Sequence, residues 1–108
     1  MIQVVEYEDE QGEHPFAKWL EGLNTPAALK VRTAIARMEH GNFSNVESVG
    51  EGVSEYKIHF GPGYRIYFGM DGETLVILLG GGTKQRQSRD IQRAKGHWSV
   101  FKSRKRRS

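Results

Sequence analysis

The sequence predicts an α+β domain in which an antiparallel-rich sheet packs against a helical hairpin, in the order β-α-α-β-β-β-α. Three observations carry this prediction. Apolar residues recur at helical spacing from Phe16 to Met38, they alternate with period two from Val53 to Leu79, and a last helical stripe begins near Gln87.

Each element has its own signal. Ile2 to Tyr7 is rich in β-branched residues and reads as a strand. Phe16, Trp19, Leu20 and Leu23 fall at i, i+3, i+4 and i+7 of a short amphipathic helix. Asn24 and Thr25 offer caps ahead of Pro26, which suits a first helical turn because its missing N–H has no intrahelical partner there. Ala27, Val31, Ala34, Ile35 and Met38 continue the stripe, and Gly41 ends it. Val53–Phe60, Tyr64–Met70 and Thr74–Leu79 are the next three strands, joined by Gly-Pro-Gly and by an Asp71-Gly72 turn. Gly80-Gly81-Gly82 is expected to close the last strand. A helix from about Gln87 then carries Ile91, Ala94, Trp98 and Phe101 on one side. Gly96 weakens that helix by roughly 1 kcal/mol relative to Ala, so its far end is expected to fray. We expect one domain over 1–101 with one modest core, followed by a basic tail, 102–108, that is disordered or loosely helical.

Composition narrows the function classes. With no cysteine among 108 residues, disulfides and thiolate metal sites are excluded. The run Leu75–Leu79 is far too short to span a bilayer, and the acidic N-terminal stretch does not suit a signal peptide, so a cytoplasmic protein without membrane partners is expected. The histidines stand 26, 19 and 38 residues apart with no metal-binding spacing, and neither a metal nor a cofactor is expected. The net charge of +3 conceals a split. Residues 1–55 hold four Lys/Arg against ten Asp/Glu, whereas 56–108 hold twelve against three. Five of those twelve lie in the tail, so the folded second half is basic in its own right and suits a polyanion.

The stretch YKIHFGPGYRIYF concentrates that charge. Tyr56, Ile58 and Phe60 must share a face with Tyr64, Ile66 and Phe68, which leaves Lys57, His59, Arg65 and Tyr67 together on the other. With residues 61–63 as the loop, His59 is expected opposite Arg65 and Lys57 opposite Tyr67, at Cβ separations of about 4.5–5.5 Å. A two-residue Asp71-Gly72 loop then sets Arg65 against Leu78 and Tyr67 against Val76, so that apolar neighbours back the cluster. Lys84 sits where the last strand gives way to the helix, and Arg86, Arg89 and Arg93 flank it. Basic residues beside a sheet face suit a phosphate backbone, and Tyr67 is expected to offer a stacking surface for a base.

SEYKIHFGPGYRIYF and LLGGGTKQRQSRDIQRAK, set in this order of elements, resemble the RelE/ParE superfamily of bacterial toxins, most closely the addiction-module killer proteins. The likeness spans about residues 2–98. It implies the toxin of a type II toxin–antitoxin module, neutralised by a protein antitoxin encoded beside it, the complex binding its own operator DNA through the antitoxin. RelE-like and HigB-like relatives cut messenger RNA, commonly on the ribosome and without a metal. By position, Lys57 and His59 match the basic residues of the second strand, Arg65 the arginine of the third and Lys84 the basic residue at the strand-to-helix mouth. Many relatives have lysine where this chain has His59, and some carry a tyrosine early in the last helix where this chain offers Gln87 and Asp90.

RNA brings its own nucleophile, the 2′-OH, so the protein must move two protons and stabilise a pentacoordinate phosphorus. Histidine suits the proton transfers. The expected roles are His59 as acid/base, Arg65 as phosphate clamp and Lys57 and Lys84 as electrostatic stabilisers, with Asp90 orienting or deprotonating a partner. Two further readings stand beside this one. ParE-like members of the fold poison DNA gyrase by contact, and a plain nucleic-acid-binding domain would work through its basic tail.

Overall fold

The computed structural model describes residues 1–107. Its elements are β1 (Gln3–Glu6), α1 (Pro15–Glu21), α2 (Thr25–Glu39), β2 (Val46–Gly50), β3 (Val53–Ile58), β4 (Tyr64–Asp71), β5 (Leu75–Thr83), a 3-10 turn (Lys84–Arg86) and α3 (Gln87–Arg107). The fold is α+β, β-α-α-β-β-β-β-α, with one strand more than expected. The five-stranded sheet runs β1-β5-β4-β3-β2, parallel between β1 and β5 and antiparallel elsewhere. This order is consistent with RelE-like topology. The extra strand, β2, is bulged between Ser48 and Gly50, and only two of its five residues, Val46 and Val49, are partly buried, so its apolar signal is weak.

The caps form as their chemistry suggests. The Asn24 side chain accepts from the Ala27 N–H at 3.0 Å, and Gly41 takes φ +81° just past α2, in the left-handed region that costs glycine least.

Alternation along the strands divides the apolar residues between two clusters where one core was expected. Phe16, Val31, Met38, Tyr56, Ile66 and Phe68 belong to the face covered by α1 and α2. Tyr7, Val53, Tyr67, Ile77 and Leu79 meet Ala94 and Trp98 of α3 on the other. The expected basic tail is the last part of α3 as far as Arg107, while Ser108 lies outside the described residues. The Arg104 guanidinium donates to the Glu8 carbonyl at 2.6 Å and lies over the Tyr7 ring, and Lys105 pairs with Asp71. The helix passes Gly96 without interruption. No helix among the described residues is long and apolar enough to cross a membrane.

The β3–β4 register departs from the expected one by two residues. A turn closes between the Phe60 carbonyl and the Gly63 N–H at 3.0 Å, and Phe60 N–H bonds back to the Ile58 carbonyl at 3.0 Å, so the loop consumes His59 and Phe60. Ile58 therefore pairs with Tyr64, Lys57 with Arg65 and Glu55 with Tyr67. A slip of two preserves which face each side chain takes and changes only its partner. Between β4 and β5, Asp71 pairs with Leu75, and a bulge at Tyr67/Phe68 moves the far end further. Tyr67 then faces Gly80 and Arg65 faces Gly82, not the expected Val76 and Leu78. Gly80–Gly82 lie inside the strand, which runs on to Thr83.

Candidate functional site

The far end of the sheet, beneath the start of α3, holds a buried polar knot. Glu55 and Arg65 are 3% and 6% exposed, and Glu55 Oε1 stands 3.7 Å from Arg65 Nε. Glu55 Oε2 lies 4.0 Å from Lys57 Nζ, and Oε1 accepts from Gln87 Nε2 at 2.8 Å. Lys57 Nζ also reaches Glu47 at 2.9 Å. One guanidinium N–H of Arg65 donates to the Tyr64 carbonyl at 3.3 Å, whereas its Nε–H has no hydrogen-bond partner among the described residues. An acid therefore sits among residues that read as purely cationic and aromatic. Arg65 is too enclosed for the expected clamp: its charge is spent on Glu55, which is held in turn by Gln87 and shared with Lys57.

Tyr67 corrects a second expectation, because it is wholly buried and offers no surface for stacking. Its hydroxyl has no hydrogen-bond partner among the described residues. Burial, followed by the fields of the Glu55 and Asp90 carboxylates, pushes its pKa well up, so the phenol keeps its proton; Arg65 opposes the shift weakly.

His59 stands apart from Arg65. It is exposed and lines a cleft of about 270 Å³ between α2 and the end of β3. Lys30 and Arg37 of α2 and Lys57 of β3 line the same cleft. Lys30 Nζ lies 5.3 Å from the centre of the Phe60 ring. The structure thus separates the expected His59–Arg65 pair and joins His59 to Lys57 and to two cations of α2 that sequence reasoning passed over. Both come from the acidic half of the chain, and their helical positions sit a turn or more from one another along α2, so only the packing of α2 against β3 brings them to His59.

Of the remaining expected residues, Arg86, Asp90 and Arg93 line a larger groove, about 440 Å³, between α1 and α3, whereas Arg89 is exposed outside its lining. β1 pairs with β5 only as far as Leu78, so Gly80, Gly81, Gly82 and Thr83 are paired on their β4 side alone and form the groove's floor with Leu79 and Tyr67. Trp19 and Lys18 stand on one wall, Arg86, Asp90 and Arg93 on the other. A Cβ at Gly82 would overlap the Asp90 carboxylate, so glycine is what lets Asp90 lie on the strand. Burial raises the Asp90 pKa, although Arg86, Arg93 and Arg89 pull the other way. Lys84 is exposed at the strand-to-helix mouth, tied down by its N–H to the Gly63 carbonyl at 2.8 Å.

No protein-family profile matches the chain. A Haemophilus influenzae (strain Rd) protein described as uncharacterized is 43% identical to it over 81 residues, which is 74% of this chain and 82% of the relative. The chain belongs to the same family as that protein.

Proposed function

We propose that this protein is the toxin of a bacterial type II toxin–antitoxin module, a RelE/ParE-type endoribonuclease that cuts messenger RNA in the cytoplasm, on ribosomes, and is silenced by an antitoxin encoded beside it. The observation that carries the reading is the cleft in which an exposed imidazole, His59, shares walls with Lys57, Lys30 and Arg37. The element order and the two sequence stretches that resemble the superfamily add to it.

The chemistry follows from these groups. Neutral His59 takes the 2′-OH proton as O2′ bonds to phosphorus, the P–O5′ bond breaks, and the departing oxygen takes a proton from the Lys57 ammonium or from solvent. The products are a 2′,3′-cyclic phosphate and a 5′-hydroxyl end. Lys57 meets the charge that develops on phosphorus, while Lys30 and Arg37 hold neighbouring phosphates. Arg65 and Glu55 act from below by fixing Lys57. Mapping RNA ends after incubation with the purified protein tests the reading: His59→Ala should lower cleavage by about 10²–10⁴-fold, the usual worth of a positioned proton donor or acceptor.

One observation favours a second reading, gyrase poisoning by contact. Arg65 and Tyr67 are buried, so the expected phosphate clamp and the expected stacking surface are committed to the interior. Strong inhibition of supercoiling by purified gyrase, together with unaltered RNA, would select that alternative.

A further inference from the structure

α1 and α2 pack on one face of the sheet and α3 on the other, so the outer side of α3 stands clear as a ridge. Ala94 and Trp98 turn inward. At 100° per residue the line opposite them carries Arg89, Gln92, Gly96 and Ser99, and all four are exposed. Exposed cations flank this crest on both sides, Arg86 and Arg93 on one and Lys102 and Arg106 on the other. Neither these four nor Arg89 makes a hydrogen bond or ion pair among the described residues. Acids beside α3 are already occupied. Glu51 pairs with Lys95, Asp71 pairs with Lys105, and Asp9 accepts from the backbone N–H groups of Gln11 and Glu13. The one acid of the helix itself, Asp90, turns to the strand at Gly82.

Helix stability does not account for this arrangement. Arg86 and Arg89 sit at the positive end of the helix dipole, where acids are favoured. Arg89–Arg93 and Lys102–Arg106 are like-charge pairs at i, i+4, which weaken a helix. Cations that strain their own helix and find no partner inside the molecule point to an anion outside it.

The form of the ridge says which anion. A single strand is held by aromatic surfaces for its bases, and the ridge has none: Trp98 is buried and Phe101 is stacked on it. A duplex keeps its bases stacked and lines the two walls of a groove with phosphates. The major groove of B-form DNA, about 12 Å wide, admits a helix of about 10–12 Å, whereas that of A-form RNA is too narrow. Cations on both flanks suit phosphates on both walls. Gly96 and Ser99 keep the crest low for close approach, and Gln92 is long enough to reach base edges.

We infer that the outer face of α3 docks in the major groove of duplex DNA, with Arg86, Arg89, Arg93, Lys102 and Arg106 on phosphates and Gln92 towards the bases. None of these residues lines the His59 cleft, and the inference does not rest on the ribonuclease reading.

The experiment is fluorescence-anisotropy titration of the full-length protein, over a salt series, with a DNA duplex of about 20 base pairs, two helical turns. The comparisons are a 2′-O-methyl RNA duplex of the same sequence (A-form, and blocked against cleavage through its 2′ oxygen) and its single strand. The inference predicts binding of the DNA duplex roughly tenfold tighter, or more, than of either. Arg89→Ala and Lys102→Ala should each lower the slope of log affinity against log salt by about 0.9, the share of one phosphate on B-DNA. Arg32→Ala, on the exposed side of α2, should leave that slope unchanged. Gly96→Glu should weaken DNA binding by roughly tenfold or more without lowering Tm, because a Cβ there meets nothing within 4 Å and glycine is a poor helix former. Gly96→Ala should bind as the parent does. Equal affinity for the A-form duplex or the single strand, a slope lowered as much by Arg32→Ala, full binding by Gly96→Glu, or no binding at all would each overturn the docking face. A DNA preference in a protein that leaves RNA intact would keep the face and remove the nuclease, and RNA cleavage without a DNA preference would do the reverse.

Discussion

Glu55 organises the buried end of the sheet, and its removal would leave Arg65 as an enclosed cation with no carboxylate. Breaking a buried pair from one side costs more than the pair is worth, because the surviving charge is stranded. Glu55→Gln is therefore expected to destabilise the fold by about 3 kcal/mol, read as a lower urea midpoint at unchanged slope. Asp90 behaves in the opposite sense. Its folded pKa is raised, so the folded chain holds that proton more tightly than the unfolded chain, and stability from this group falls as pH rises through the folded value. Asp90→Asn should thus raise Tm at neutral pH, as removal of a partly buried charge would. At this scale the sequence was legible by parity alone. Glu55 shares its face with Lys57 and His59, but it stands one alternation before the cationic stretch, and a cluster defined by sign leaves it out. Tyr67 was placed on the right face and given the wrong exposure, because an α3 that packs across that face cannot be read from β4.

Among the elements, α3 carries most of what local patterns do not specify. His97 lies half-buried against Tyr7, ring centres 4.9 Å apart, with Nε2 enclosed and without a hydrogen-bond partner among the described residues. Burial lowers its pKa below 6.5, with Asp9 opposing and Arg93 adding to the shift. The unfolded chain then takes up this proton first, so the contribution is complete above about pH 6.5 and declines as pH falls towards the lowered folded value. Tm should drop between pH 7 and pH 5, and His97→Phe should flatten that drop. α1 is held more simply: a Cβ at Gly81 would overlap the Trp19 ring. Gly81→Ala is expected to cost about 1–3 kcal/mol by overpacking, measured by denaturation. Helix positions and the Asn24 cap were legible because each depends on residues within one turn. The register was not, because it depends on where the Phe60–Gly63 turn closes and on a bulge at Tyr67/Phe68 that no local residue announces.

Over the whole molecule, the charge split becomes spatial only through folding. Lys30 and Arg37 come from the acidic half, Lys57 and His59 from the basic half, and α2 packed on β3 brings them to one cleft. If these cations hold phosphates, the logarithm of RNA affinity should fall linearly with that of salt, by about 0.7 per phosphate neutralised on a single strand. Arg37→Ala should reduce that slope by one such step. The basic end of α3 was legible as charge and illegible as structure, because its partners, Glu8 and Asp71, lie far away in the chain. The most direct test of the account is RNA cleavage by His59→Ala, with Tm measured on the same sample. The account predicts cleavage lost at an unchanged Tm, since His59 is exposed and supports no packing. Full cleavage by that variant would contradict it.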